Sequence, residues 1–144
     1  MKRFSGLIIS AIFIISFVSC LKTGNHIPLE EKVNLFWKAR MTGNYTFDYN
    51  GRVLRLYNDF LPQELKKEIT EKQFYSLLNF RVLKYEVKEI KYAKNKKEAE
   101  VKVKISIDFQ GYRLDGIIIK NRWIKENGEW KVYLKTKSNP FYNP

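Results

Sequence analysis

The stretch from Ala99 to Phe109 constrains this chain more than any other. Ala99, Val101, Val103, Ile105, Ile107 and Phe109 alternate without a break with Glu100, Lys102, Lys104, Ser106 and Asp108. A period of two puts the apolar set on one side of a β-strand and the polar set on the other, so one face enters a core and the other meets water. A single strand of this kind is not stable. It requires neighbours of the same periodicity and a second layer over the apolar face.

The neighbours are present. Leu83, Tyr85 and Val87 alternate with Lys84, Glu86 and Lys88, after which Ile90 and Tyr92 take over the apolar phase. A β-bulge near Lys88 and Glu89 accounts for that slip. Asn127-Gly128 is the preferred dipeptide of a type I′ hairpin and joins a strand ending near Lys125 to one beginning near Trp130. Across it, Trp123 falls opposite Val132, Asn121 opposite Leu134 and Ile119 opposite Thr136, on an inner face shared with Trp130. The preceding hairpin poses a register problem. A two-residue turn at Gln110-Gly111 sets Ile107 opposite Leu114 and Ile105 opposite Gly116, which would turn Ile117, Ile119 and Trp123 outward. One extra residue, in a three-residue loop that includes Tyr112 or in a bulge nearby, restores Ile105 opposite Ile117 and Val103 opposite Ile119.

The strands are preceded by helical patterns. Pro28 suits a helix start, Leu29, Val33, Phe36 and Trp37 form one apolar stripe, and Gly43 supplies the stop. Glu30 and Glu31 at the start and Lys38 and Arg40 at the end complement the helix dipole. Tyr45, Tyr49, Leu56 and Phe60 read as inward residues of a second helical stretch that Gly51 interrupts. A third helix opens at Thr70, where Thr70-Glu71-Lys72-Gln73 is a capping box, with Phe74, Leu77 and Leu78 as its buried stripe. Helices followed by a strand meander predict an α+β fold, with N-terminal helices packed on a four-stranded antiparallel sheet.

The N-terminus is of a different kind. Lys2 and Arg3 precede an apolar run from Leu7 to Val18, too short for a comfortable membrane span and fitting a secretory signal. The run ends Phe17-Val18-Ser19-Cys20, which resembles the lipobox of bacterial lipoproteins, with Phe where that motif most often has Leu. Cys20 is the only cysteine in the chain. The resemblance implies cleavage of a signal peptide at 1–19, a diacylglycerol thioether on Cys20 and an acylated amine, which anchor the protein in the lipid bilayer. Leu21, where an Asp would act as a retention signal, implies the outer membrane facing the periplasm in a two-membrane bacterium. Removing 19 of the 144 residues leaves 125, and loss of Lys2 and Arg3 takes the net charge from +12 to +10. Residues 20–27 read as a tether, which places the sole histidine, His26, in a linker.

Residues 28–137 resemble the nuclear transport factor 2-like superfamily, and 138–144 form a C-terminal tail. The signatures are Phe36-Trp37-Lys38-Ala39 followed by Gly43-Asn44-Tyr45, and the hairpin from Trp123 to Val132. The resemblance implies a curved sheet that wraps the helices into a cone able to hold a small molecule. Trp37, Tyr45, Tyr85, Asp115, Asn121 and Trp123 are the expected pocket residues. Members of the superfamily include isomerases, dehydratases, transport adaptors and noncatalytic envelope proteins, so the fold alone assigns no activity. A steroid-isomerase-like use of Asp115 as acid or base is the enzymatic alternative. The expectation favoured here is a noncatalytic binding domain, because a lone carboxylate without a second acid or a histidine is a thin basis for catalysis.

The other face of the sheet is rich in cations. Lys102 falls opposite Lys120, Lys120 opposite Lys135, and Lys104, Arg122 and Lys131 extend the positive surface. This is either a solvated face that discourages edge aggregation or a surface for an anionic envelope component. One cysteine and one histidine exclude a disulfide framework, a zinc finger and a multi-histidine metal site. There is no glycine-rich phosphate loop and no nucleic-acid recognition motif, so neither cofactor nor nucleic acid is expected.

Overall fold

The computed structural model describes residues 26–134. The elements run α1 (Leu29–Thr42), β1 (Thr46–Tyr49), β2 (Arg52–Arg55), α2 (Leu56–Phe60), α3 (Gln63–Glu68), α4 (Glu71–Leu77), β3 (Arg81–Tyr92), β4 (Glu98–Phe109), β5 (Tyr112–Glu126) and β6 (Glu129–Tyr133). The fold is α+β: helices precede an antiparallel sheet of four strands in the order β3-β4-β5-β6, and β1 and β2 pair separately. Cys20, Lys135 and Thr136 lie outside the described residues, as do the expected signal, most of the expected tether and the expected tail.

Helix α1 ends where expected, with Gly43 in the left-handed region and its N–H donating to the Ala39 carbonyl. Leu29, Val33, Phe36 and Trp37 are buried, and so are Lys32 and Arg40. Both cations follow the stripe spacing of α1, at positions three or four residues from its apolar members. Helix α4 has the full capping box: Gln73 N–H donates to the Thr70 hydroxyl, and Thr70 N–H donates to the Gln73 side chain.

Residues 45–55 are not helical, which corrects the sequence reading. They form the β1–β2 hairpin, closed by Asn50 and Gly51, both at positive φ, with Gly51 N–H donating to Asp48 Oδ1 at 3.1 Å. Asn50-Gly51 is the same turn dipeptide as Asn127-Gly128, and it overrides the four-residue spacing of Tyr45 and Tyr49. Tyr45, Phe47 and Tyr49 instead alternate with exposed residues along a strand. Only Leu56 and Phe60 fall in a helix, α2, and both are buried.

The sheet has the predicted bulge between Val87 and Glu89 and a second between Val82 and Lys84. The extra residue needed between β4 and β5 is a bulge. The turn at Gln110-Gly111 is tight, with Phe109 opposite Tyr112 and Ile107 opposite Leu114, and Ser106 then faces both Asp115 and Gly116. From there Ile105 pairs with Ile117 and Val103 with Ile119. Gly116 adopts φ +74°, a conformation that costs other residues about 1–2 kcal/mol.

The bulge delivers Trp123 to the helix side, opposite Val132. Phe36 sits edge-on to both Trp123, at 5.9 Å between centroids, and Trp37, at 5.6 Å. Val101, Val103, Ile105 and Ile107 of β4 join the same core. Ile27, the last residue of the tether stretch, is buried there too, and His26 packs over Gly128 of the β5–β6 turn.

Gly116→Ala should lower unfolding stability in urea by about 1–2 kcal/mol. A Cβ at that position would meet only Lys104 Cε at 3.7 Å, an ordinary contact, so the loss is one of backbone strain. An unchanged midpoint would show that the bulge does not need the glycine.

Candidate functional site

Strand β6 pairs with β5 from Glu126↔Glu129 to Arg122↔Tyr133. Beyond that, among the described residues, the edge of β5 from Tyr112 to Asn121 has β4 on one side only. A cavity of about 1080 Å³ opens around this edge. Ile117, Ile119 and Asn121 line it from the helix side of the sheet, and Ile118, Lys120 and Arg122 from the other. Its floor comes from Trp37 and Arg40 of α1, from Leu77 and Leu78 at the end of α4 and from Phe80 beyond it. The walls are mainly apolar, as expected of small-molecule sites.

Three polar groups on the helix side of this cavity lack hydrogen-bond partners among the described residues: Arg40 Nη2, Trp37 Nε1 and Asn121 Oδ1. Arg40 is 8% exposed, and its guanidinium lies over the Phe80 ring at 4.5 Å and the Trp37 ring at 5.4 Å. Burial lowers its pKa to about 10, which still leaves it cationic at neutral pH. A buried cation held by two aromatic faces and, among the described residues, by no carboxylate is an uncommon arrangement, because burial of a charge is normally matched by an ion pair. In the sequence Arg40 reads only as a complement to the helix dipole. Its spacing of four from Phe36 and three from Trp37 was the available signal, a charge on the apolar stripe.

Of the six pocket residues expected from sequence, Trp37 and Asn121 line the cavity. Trp123 is fully buried against Phe36 and fills the core instead. Tyr45 stacks on Tyr75 at 5.1 Å. Tyr85 is half-buried, donates to the Asn34 carbonyl at 3.3 Å, and has its pKa raised by burial. Asp115 is displaced from its expected position on the inner face. The bulge carries it to the opposite face, beside Lys84, Lys104 and Ser106 in a depression of about 320 Å³. There it accepts from Arg113 Nε at 3.0 Å, and hydrogen bonding to Ser106 and Arg113 holds its carboxyl below the usual range. A general base needs the opposite shift.

The other buried cation of α1, Lys32, stands in a separate cluster. Its Nζ is 3.7 Å from Glu129 Oε2, too far to hydrogen-bond, and 4.4 Å above the Phe60 ring. Arg52 donates to Glu129 at 3.0 Å and approaches Asp59 at 3.5 Å, so the group links α1, the β1–β2 hairpin, α2 and β6. Lys32 is 1% exposed, and burial lowers its pKa to about 8. The arrangement has the geometry of a structural clasp, sealed at Lys32 and open to solvent at Arg52.

The cationic face is more evenly matched than the sequence suggests. Lys102 faces Lys120 as expected, but it also meets Glu89 at 2.7 Å. Lys104 falls opposite Glu86 in the β3–β4 ladder. Arg122 pairs with Glu98 at 2.7 Å, and Lys131 donates to the Asp59 carbonyl at 2.9 Å. Lys120 is exposed.

Comparison with known protein families and with curated proteins finds no match. Among the described residues there is no cluster of three His, Cys, Asp or Glu able to hold a metal ion, and no helix is long and apolar enough to cross a membrane.

Lys32 generates a signed pH prediction. Its pKa is lowered in the folded state, so its burial costs stability while the amine is protonated, and the cost is relieved as pH rises from about 8 towards the unfolded value of 10.5. Tyr92 has its pKa raised to about 12 and acts in the opposite sense above about pH 10, so the rise is read at roughly pH 8–9.5, where Lys131, its pKa also lowered by burial, adds to it in the same sense. Lys32→Met should raise stability at pH 7 by roughly 1–3 kcal/mol, with Glu129 still held by Arg52, and should flatten the rise in that window. Urea melts at pH 7 and 9.5 measure both, and a variant less stable than wild type at pH 7 would show that the clasp is a net attraction.

Proposed function

We propose that this protein is a lipoprotein of the bacterial cell envelope, held in the membrane through acyl chains on Cys20, whose nuclear transport factor 2-like domain is a noncatalytic ligand-binding module. The observation that carries the binding role is the set of unpartnered polar groups, Arg40 foremost, at the wall of an apolar cavity. Left empty, such a wall costs stability, and occupation by a complementary molecule relieves that cost.

The anchor is supported by the sequence Phe17-Val18-Ser19-Cys20 at the end of an apolar run, with the only cysteine at the position the motif requires. The superfamily assignment is supported by the order of elements, by α1 laid on the inner face of a four-stranded antiparallel meander, and by the Trp123–Val132 pair in the last hairpin. The noncatalytic reading is supported by Asp115, the residue an isomerase-like mechanism would use, being exposed and engaged by Arg113. The cationic face contributes less to the proposal, because most of its described cations have acidic or carbonyl partners.

Cells expressing the full chain and fed an alkyne-bearing fatty acid should yield a labelled protein that sediments with membranes. Cys20→Ala should lose the label and leave the membrane fraction. A variant that keeps the label would remove the anchor from the proposal.

A further inference from the structure

We propose that the cavity at the β5 edge receives a long-chain carboxylate, its head group against the Arg40 guanidinium and its alkyl chain along Leu78, Phe80, Ile117 and Ile119. This inference rests on the binding-module reading and adds the chemical class of the ligand.

The head group follows from charge. Arg40 is nine-tenths buried and forms no ion pair among the described residues, and Nη2 has no hydrogen-bond partner there. One planar cation matches one negative charge, and a guanidinium matches a carboxylate in geometry as well. A phosphate dianion would bring a second charge into an apolar wall with no second buried cation to meet it. The Trp37 indole N–H, also buried and without a partner, supplies a further donor on the same element. Asn121 Oδ1 offers an acceptor to a water or hydroxyl that accompanies the head group.

The tail follows from the walls. Leu77, Leu78 and Phe80 on one side and Ile117 and Ile119 on the other present hydrocarbon, and they bound the inner part of a cavity of about 1080 Å³ that wraps the β5 edge, a space of the size that takes an alkyl chain. A small polar anion would satisfy Arg40 and leave that surface wetted. A purely apolar ligand would cover the surface and strand the cation. An amphiphile with a single negative charge meets both demands.

The test uses the full chain in a non-ionic detergent, irradiated with a diazirine-bearing hexadecanoic acid or with its methyl ester, the crosslinks being mapped by peptide mass spectrometry. The acid should label residues 77–80 and 117–119 roughly tenfold more than the ester, in keeping with a charge-assisted contact, and unlabelled dodecanoate should compete. Arg40→Met should abolish that preference while the ester still labels the same segments, which certifies that the cavity survives the substitution. Arg40→Lys should retain part of the preference. Equal labelling by acid and ester within the cavity overturns the carboxylate and leaves the binding module standing. Absence of both labels there overturns the two together. A preference that persists in Arg40→Met overturns the role of Arg40, and labelling that appears only after deletion of residues 135–144 makes that segment the occupant and overturns the proposal.

Discussion

The architecture turns on the contact between Phe36 of α1 and Trp123 of β5. Two large aromatic side chains meet edge to face, each fully excluded from water, and together they fix where the helix layer lies on the sheet. The contact exists because Trp123 faces inward, and that orientation depends on a count of residues along β5. Without the bulge at Asp115 and Gly116, every side chain of β5 beyond it would change sides. Ile117, Ile119 and Asn121 share that dependence, so the core and the cavity wall stand or fall with the same local irregularity.

Helix α1 carries two cations on its apolar side, and their surroundings separate their roles. Lys32 is sealed, lies near an acid and an aromatic ring, and links four elements around Glu129. Arg40, two turns later, is held among the described residues by aromatic faces and borders open volume. Both are desolvated. The difference is access: the first has already found its counter-charge within the chain, whereas the second faces a space from which a counter-charge could come.

Much of the architecture was legible in the sequence because period-two patterning and turn dipeptides act locally and strongly. The β4 alternation, the Lys88–Glu89 irregularity, the extra residue before Ile117 and the Thr70 capping box were all readable from side-chain order. The β1–β2 hairpin is obscured because Tyr45 and Tyr49 satisfy a helical spacing as well as an alternating one, and only the Asn50-Gly51 turn decides between the two. The site was less legible. Trp37 and Asn121 were found through the inner-face register, but Asp115 was assigned to the wrong face because a bulge rotates the residues within it. Arg40 has a ready surface explanation as a cation near a helix C-terminus, Lys32 carries no signal of its own, and only tertiary packing reveals that both are taken out of water. The charge matching of the outer face was hidden for a related reason: it needs the β3–β4 pairing, which places Glu86 and Glu89 beside Lys104 and Lys102.

The irregularity at Gly116 also divides the long hairpin into two mechanical parts. On the core side of it the pairing is locked by side chains that cannot change places. On the far side, between Ile107 and Leu114, the strands close through a tight turn and expose Phe109, Tyr112 and Leu114. One residue more or less on each strand at that tip would leave the pairing beyond Gly116 as it is, so the length of the tip is uncoupled from the interior.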